Sequence, residues 1–181
     1  METPLKTGTL GVSPAPSFAQ PFEMMCACHE KMLRTLGLLE RLRAHLAGHG
    51  ADEQARQAAR DVMRYFDKAA PQHHRDEEMY VFPPLLAGQD AATKAVVERL
   101  QQEHARMEAG WASARVVLEA IADGTLFRLD ASAQAALDAF AGLYAGHIAA
   151  EEQIVYPAAA ALLDADAITE MGREMAARRG A

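Results

Sequence analysis

The 181-residue sequence predicts an all-α fold: an up-down-up-down four-helix bundle with a disordered or extended N-terminal tail and a short C-terminal helix. Three observations predict it. Half of the residues are apolar, with Ala and Leu dominant and β-branched and aromatic residues scarce, a composition that favours helix over sheet. Four long segments carry apolar residues at spacings of three and four, the repeat of one helical face. One His- and acid-rich stretch occurs twice, about half the chain apart, so a pair of elements is repeated.

In chain order, residues 1–17 hold Pro, Thr, Ser and Gly without a period and are expected to form a mobile tail. The bundle is expected over residues 18–157. Met25, His29, Met32, Leu36, Leu39 and Leu46 mark a first helix that starts at Phe18 or Pro21 and ends near Ala47, before the Gly48-His49-Gly50 turn. Asp52 is the expected cap of a second helix with the stripe Val62, Phe66, Ala69, His73, Glu77 and Tyr80. Pro71 lies inside the stripe, so that helix is expected to kink one turn before His73, and it is expected to stop before Pro83-Pro84. Ala145 stands at the Pro71 position of the second copy, so the kink is not expected there. A third helix follows Asp90, with the seam Val97, Leu100, His104, Met107, Trp111, Leu118 and Ile121, and closes at Asp123-Gly124. Asp130 or Ser132 caps a fourth, whose seam is Leu137, Phe140, Tyr144, His147, Glu151 and Ile154. Short loops force the four to alternate in direction. Residues 158–181 are read as a helical extension on the bundle, with Ile168, Met171 and Met175 inward and Arg173, Arg178 and Arg179 near its C-terminus.

Composition excludes several functions. With 18 basic and 25 acidic side chains the formal charge is −7, so nucleic acid and anionic membrane surfaces are not expected partners. No apolar run approaches the roughly 18 residues of a membrane span, and Lys6 is the only base in an N-terminal stretch interrupted by Pro4, Pro14 and Pro16, unlike a secretory signal. The expected location is the cytoplasm. Cys26 and Cys28 lie two apart on a helix and point to different sides, so no disulfide is expected between them.

The duplicated stretch is His73-His74-Arg75-Asp76-Glu77-Glu78-Met79-Tyr80-Val81-Phe82-Pro83, answered by His147-Ile148-Ala149-Ala150-Glu151-Glu152-Gln153-Ile154-Val155-Tyr156-Pro157. In each, a His and a Glu four residues later share one helical face. Carried backwards, the repeat sets His29 against His104. Residue counts from each His to its adjacent loop agree to within a helical turn, which puts all four His at one level of the bundle. An apolar seam holding these four imidazoles with Glu77 and Glu151 would bury six ionisable groups, each costing several kcal/mol if unpaired. Metal cations remove that cost through direct bonds. Glu108, four residues after His104, offers a seventh donor, so two ions bridged by Glu77 and Glu151 are expected rather than one. The imidazole and carboxylate donors point to iron first, then manganese or zinc.

His29, then His73 with Glu77, then His104, then His147 with Glu151, ordered over four helices, resembles the hemerythrin-like (HHE cation-binding) family. The likeness implies a non-haem di-iron centre, bridged by oxo or hydroxo and by the carboxylates Glu77 and Glu151, with the four His as terminal ligands and O2, NO or peroxide as the small-molecule partner. Glu108 stands where the oxygen carriers of the family have a second third-helix His, and their last acid lies one residue beyond the position of Glu151. A harder, anionic donor favours the ferric state, so the implied role shifts from O2 transport towards sensing or redox chemistry with NO or peroxide, and the first reading is a sensor or buffer. The alternative is a redox enzyme that turns over peroxide or NO, or delivers iron for repair of iron–sulfur clusters. The repair members carry an extra cysteine-bearing N-terminal domain, which residues 1–17 are too short to form. The redox partner is open, and the bundle is a monomer or dimer.

Among the neighbours, His74 is an alternative to His73, but its counterpart is Ile148, so the repeat favours His73 as the ligand and gives His74 a supporting place. Glu78 and Glu152 are expected to be solvated or to support ligands. Cys26, one turn from His29, Tyr80, Trp111 and Tyr144 are read as core residues, and His49 as exposed.

Overall fold

The computed structural model describes residues 17–181, so the expected tail lies outside the described residues except for Ser17. The described residues form helices only: α1 (Pro21–His49), α2 (Glu53–Phe66), α3 (Ala69–Asp76), a π-helical turn Glu77–Val81, α4 (Phe82–Ala87), α5 (Ala91–Ala122), α6 (Ala131–Ala141), α7 (Tyr144–Ala150), a second π turn Glu151–Val155, α8 (Tyr156–Leu162) and α9 (Ala165–Arg179). The α2 to α4 run and the α6 to α8 run are each one bent column, so the four columns are α1, α2–α4, α5 and α6–α8. None of these helices is long and apolar enough to cross a membrane.

Aspartates start the helices that follow loops. Asp52, Asp90, Asp130 and Asp164 accept from backbone N–H groups of Ala55, of Ala92 and Thr93, of Ala133 and of Ala167, each cap contributing about 1 kcal/mol. Ser132 therefore lies inside α6. Gly50, at φ 72°, ends α1 two residues later than the glycine turn suggests.

The second column departs from expectation twice. Its break falls at Asp67-Lys68, one to two residues ahead of the turn before His73 where it is expected, and Pro71 sits in the first turn of α3. A proline ring collides with the carbonyl four residues earlier, here that of Asp67, so the helix opens where the collision would occur. The fourth column also breaks, at Gly142-Leu143, although Ala145 replaces the proline. Glycine weakens a helix interior, and Gly142 does there what Pro71 does in the first copy.

Nor does the column stop before Pro83-Pro84. It runs through them to Ala87, because the π turn has widened the helix just ahead. Phe82 N–H bonds back five residues to Glu77 C=O, and Tyr156 N–H likewise to Glu151 C=O. Pro83 and Pro157 then occupy the first turn of α4 and α8, where a missing N–H costs nothing. Both π turns begin at the Glu that closes the repeated His-x-x-x-Glu pair, and such turns recur at functional sites.

The apolar core is divided. One cluster, including Met32, Leu39, Phe66, Met107, Phe140 and Tyr144, fills the end of the bundle near the α1–α2 loop. A second, including Met25, Phe82, Leu100, Tyr156, Met171 and Met175, fills the opposite end under α9. Asp76, fully buried, anchors α9 through Arg178 Nε at 3.0 Å and Arg179 at 2.7 Å, and Gly172 lets the backbone of Phe18 lie directly on that helix.

Candidate metal centre

Between the two apolar clusters lies a polar layer. His29, His73, Glu77, His104, His147 and Glu151 are each at most 5% exposed and come from all four columns. Their donor atoms form two sets, His29, His73, Glu77 and Glu151 on one side and Glu77, His104, His147 and Glu151 on the other, with the atoms of each set within 4.8 Å of one another. Glu77 and Glu151 belong to both. The side-by-side sets follow from the repeat, which gives each pair of columns two imidazoles and one carboxylate.

Hydrogen bonds at the far side of the rings fix which nitrogen faces inward. Glu152 lies 2.9 Å from His29 Nδ1, Glu78 2.9 Å from His104 Nδ1, and Glu103 2.9 Å from His147 Nδ1. A carboxylate accepts the Nδ1 proton, which leaves Nε2 with its lone pair turned to the centre. The inward nitrogens then meet each other: His104 and His147 Nε2 are 3.1 Å apart, His29 and His73 Nε2 2.8 Å. The His104 and His147 lone pairs repel at that distance unless a proton or a cation lies between them, whereas His73, whose Nδ1 has no partner, can donate from Nε2 to His29.

The acids show the same demand. Glu151 Oε1 is 2.8 Å from His147 Nε2 and Oε2 is 3.2 Å from His29 Nε2, yet both oxygens, together with Glu77 Oε2, are buried without an aligned hydrogen bond. Without a metal, protons must fill the gap. Burial and then the charge of Glu151 push the Glu77 carboxyl up to about 7. Burial also raises Glu151, but the imidazoles of His104, His147 and His29 more than offset it and hold it well below the usual carboxylate range. Burial lowers His104, and contacts with Glu151, Glu77 and Glu78 overcome this and raise it to about 10. His73, wholly buried, is driven well below the ordinary imidazole value. The donor set therefore fits divalent or trivalent cations, which satisfy orphan carboxylate oxygens and facing lone pairs at once. No thiolate enters either set, which suits iron, manganese or zinc.

Two predicted neighbours fall elsewhere. Glu108 does not reach the centre: it is exposed on α5 and lines a surface cavity. His74 has a nitrogen within 4.8 Å of donors of His104 and His147, but its ring stacks on that of His104, with centroids 4.1 Å apart and planes 12° apart. An imidazole binds a metal in its own plane, and two rings stacked face to face at this separation do not aim their in-plane lone pairs at one ion. His49 is exposed and Cys26 is half-buried, its thiol raised to about 11 by burial and nearby acids.

Sequence reasoning missed Tyr156. Its hydroxyl donates to Glu77 Oε1 at 2.6 Å and lies 3.2 Å from His29 Nε2, and its ring stacks on His29 at 5.6 Å. The signal was present, since Tyr156 aligns with Phe82, which stacks on His104 at 5.5 Å. Glu103 was also missed, being the residue before His104.

Comparison with known proteins agrees with this site. Residues 20–159 match the hemerythrin HHE cation binding domain. An uncharacterized protein of Haemophilus influenzae (strain ATCC 51907 / DSM 11121 / KW20 / Rd) is 32% identical over 160 residues, which cover 88% of this chain and 90% of that relative. On the strength of that match over most of its length, the chain belongs to the hemerythrin HHE cation-binding domain family.

Proposed function

We propose that this chain is a non-haem di-iron protein of the cytoplasm that binds O2, NO or peroxide at the bundle centre and acts as a sensor or buffer. The observation that carries the reading is the pair of buried four-donor sets sharing Glu77 and Glu151. In this reading His29 and His73 would hold one ion and His104 and His147 the other, with Glu77 and Glu151 available to both. The ions would supply a redox-active, Lewis-acidic position for a small ligand. The chain's own part is to fix the tautomers through Glu152, Glu78 and Glu103, to keep water out with the two apolar clusters, and to aim the carboxylates.

The spectrum of the purified protein tests this. A di-ferric oxo-bridged centre gives near-ultraviolet charge-transfer bands, and the reduced protein should form a lasting coloured adduct with O2 or NO. A colourless protein without iron would refute the proposal. One observation favours redox turnover as a second reading: Tyr156 places a hydroxyl hydrogen-bonded to Glu77 among the donor atoms, where it could hold a proton for the reaction. If turnover is the role, O2 simply reoxidises the reduced protein, and Tyr156→Phe slows that step several-fold while iron content stays the same.

A further inference from the structure

A cavity of about 340 Å³ opens at the surface between α3 and α5 and reaches down to His74 and His104. Its inner wall is apolar and buried, made of Phe66, Met107 and Tyr144, with Trp111 beside them. Its rim carries the exposed residues Pro71, Glu78, Gln101 and Glu108. The space exists because the column breaks at Asp67-Lys68 and because the rim and wall carry the small side chains Ala105 and Ala70.

Size and chemistry select the occupant. Benzene fits an apolar cavity of about 150 Å³, and small-molecule sites begin near 300 Å³, so the volume exceeds what a diatomic needs and suits a single substituted ring. Three of the walls are aromatic, which favours a flat, aromatic body. Two polar side chains line this wall, and among the described residues neither the Tyr144 hydroxyl nor a ring nitrogen of His74 has a hydrogen-bond partner within the protein. Tyr144 is only 2% exposed, so its hydroxyl has few partners besides cavity water, which a ligand hydroxyl arriving there would replace.

We propose that this cavity binds a monocyclic phenol, its ring against Phe66, Met107 and Trp111 and its hydroxyl paired with Tyr144 and His74. The inference rests on the cavity alone and stands whichever metal the centre holds.

Trp111 is the chain's one tryptophan, so its emission reports on the wall. Phenol titrated into the purified full-length protein should change Trp111 emission saturably and give calorimetric binding with a Kd of about 1 mM, the scale for a ligand of this size. Toluene, the same shape without the hydroxyl, should bind at least tenfold more weakly. Tyr144→Phe should reduce that difference and Tyr144→Phe with His74→Ile should erase it, and Ala105→Phe, or the smaller filler Ala105→Leu, should remove binding while leaving helix content unchanged. Absence of saturation, equal affinity for phenol and toluene, or phenol binding that survives both fillers would overturn the proposal.

Discussion

The two copies of the His-x-x-x-Glu-Glu stretch are the most informative pair of regions in the molecule, because they agree inside the centre and differ around it. Each supplies an inward His and Glu, a π turn that starts at that Glu, and a proline after the turn. Each also reaches across to the other half. Glu78 and Phe82 of the first copy serve His104, and Glu152 and Tyr156 of the second serve His29. The differences lie one layer out. His147 Nδ1 has Glu103, whereas the matching position before His29 is Cys28, and His73 Nδ1 is buried without a partner. Ile148 is buried where His74 borders the cavity. The repeat thus builds a near-symmetric metal cradle, and its departures make one side better supported than the other and one face open.

Breaking the shared part should have the largest effect. Glu151→Ala or His147→Ala should lose bound metal and, with it, the stability that metal binding adds; metal analysis and thermal unfolding of each variant read this directly. Either variant with wild-type metal content would show that the acid bridge is misassigned.

The supporting layer comes next. Glu103→Gln should weaken metal binding by about 10- to 100-fold, the usual cost of losing the partner of a ligating imidazole, measured by competition with a chelator. Cys28→Glu sharpens the comparison, because it offers His73 the partner that His147 already has; retention of metal against chelator should rise, by up to about tenfold.

Protons compete for the same lone pairs. With Glu77 raised to about 7 and His104 to about 10 in the metal-free chain, metal uptake must expel a proton from His104 at any pH below about 10 and a further one from Glu77 below about 7. Affinity should fall as pH falls, and more steeply below about pH 7. Chelator competition on either side of that pH checks the slope, and a flat profile contradicts it.

The smallest effect is expected where the copies differ without touching the centre. His74→Ile, which makes the first copy like the second, should leave metal content unchanged, because the His74 ring lies parallel to His104 and out of its plane.

The same contrast shows what was legible in the sequence. The six donors were readable because spacing on a helix fixes direction, and a repeat cross-checks each position. Glu108 misled although the repeat held a warning: its counterpart in the first helix is Leu33, which is exposed. The break at Gly142-Leu143 was hidden by attention to proline, although glycine opens a helix as well. Tyr156 and Glu103 act from helices distant in sequence from the rings they touch, and such contacts exist only once the columns are assembled.

The most direct measurement is the electron density of metal-loaded crystals at the absorption edge of the bound metal. Two anomalous peaks flanked by Glu77 and Glu151, one beside His29 and His73 and the other beside His104 and His147, are the predicted result. A single peak, or ions held outside this layer, would contradict it.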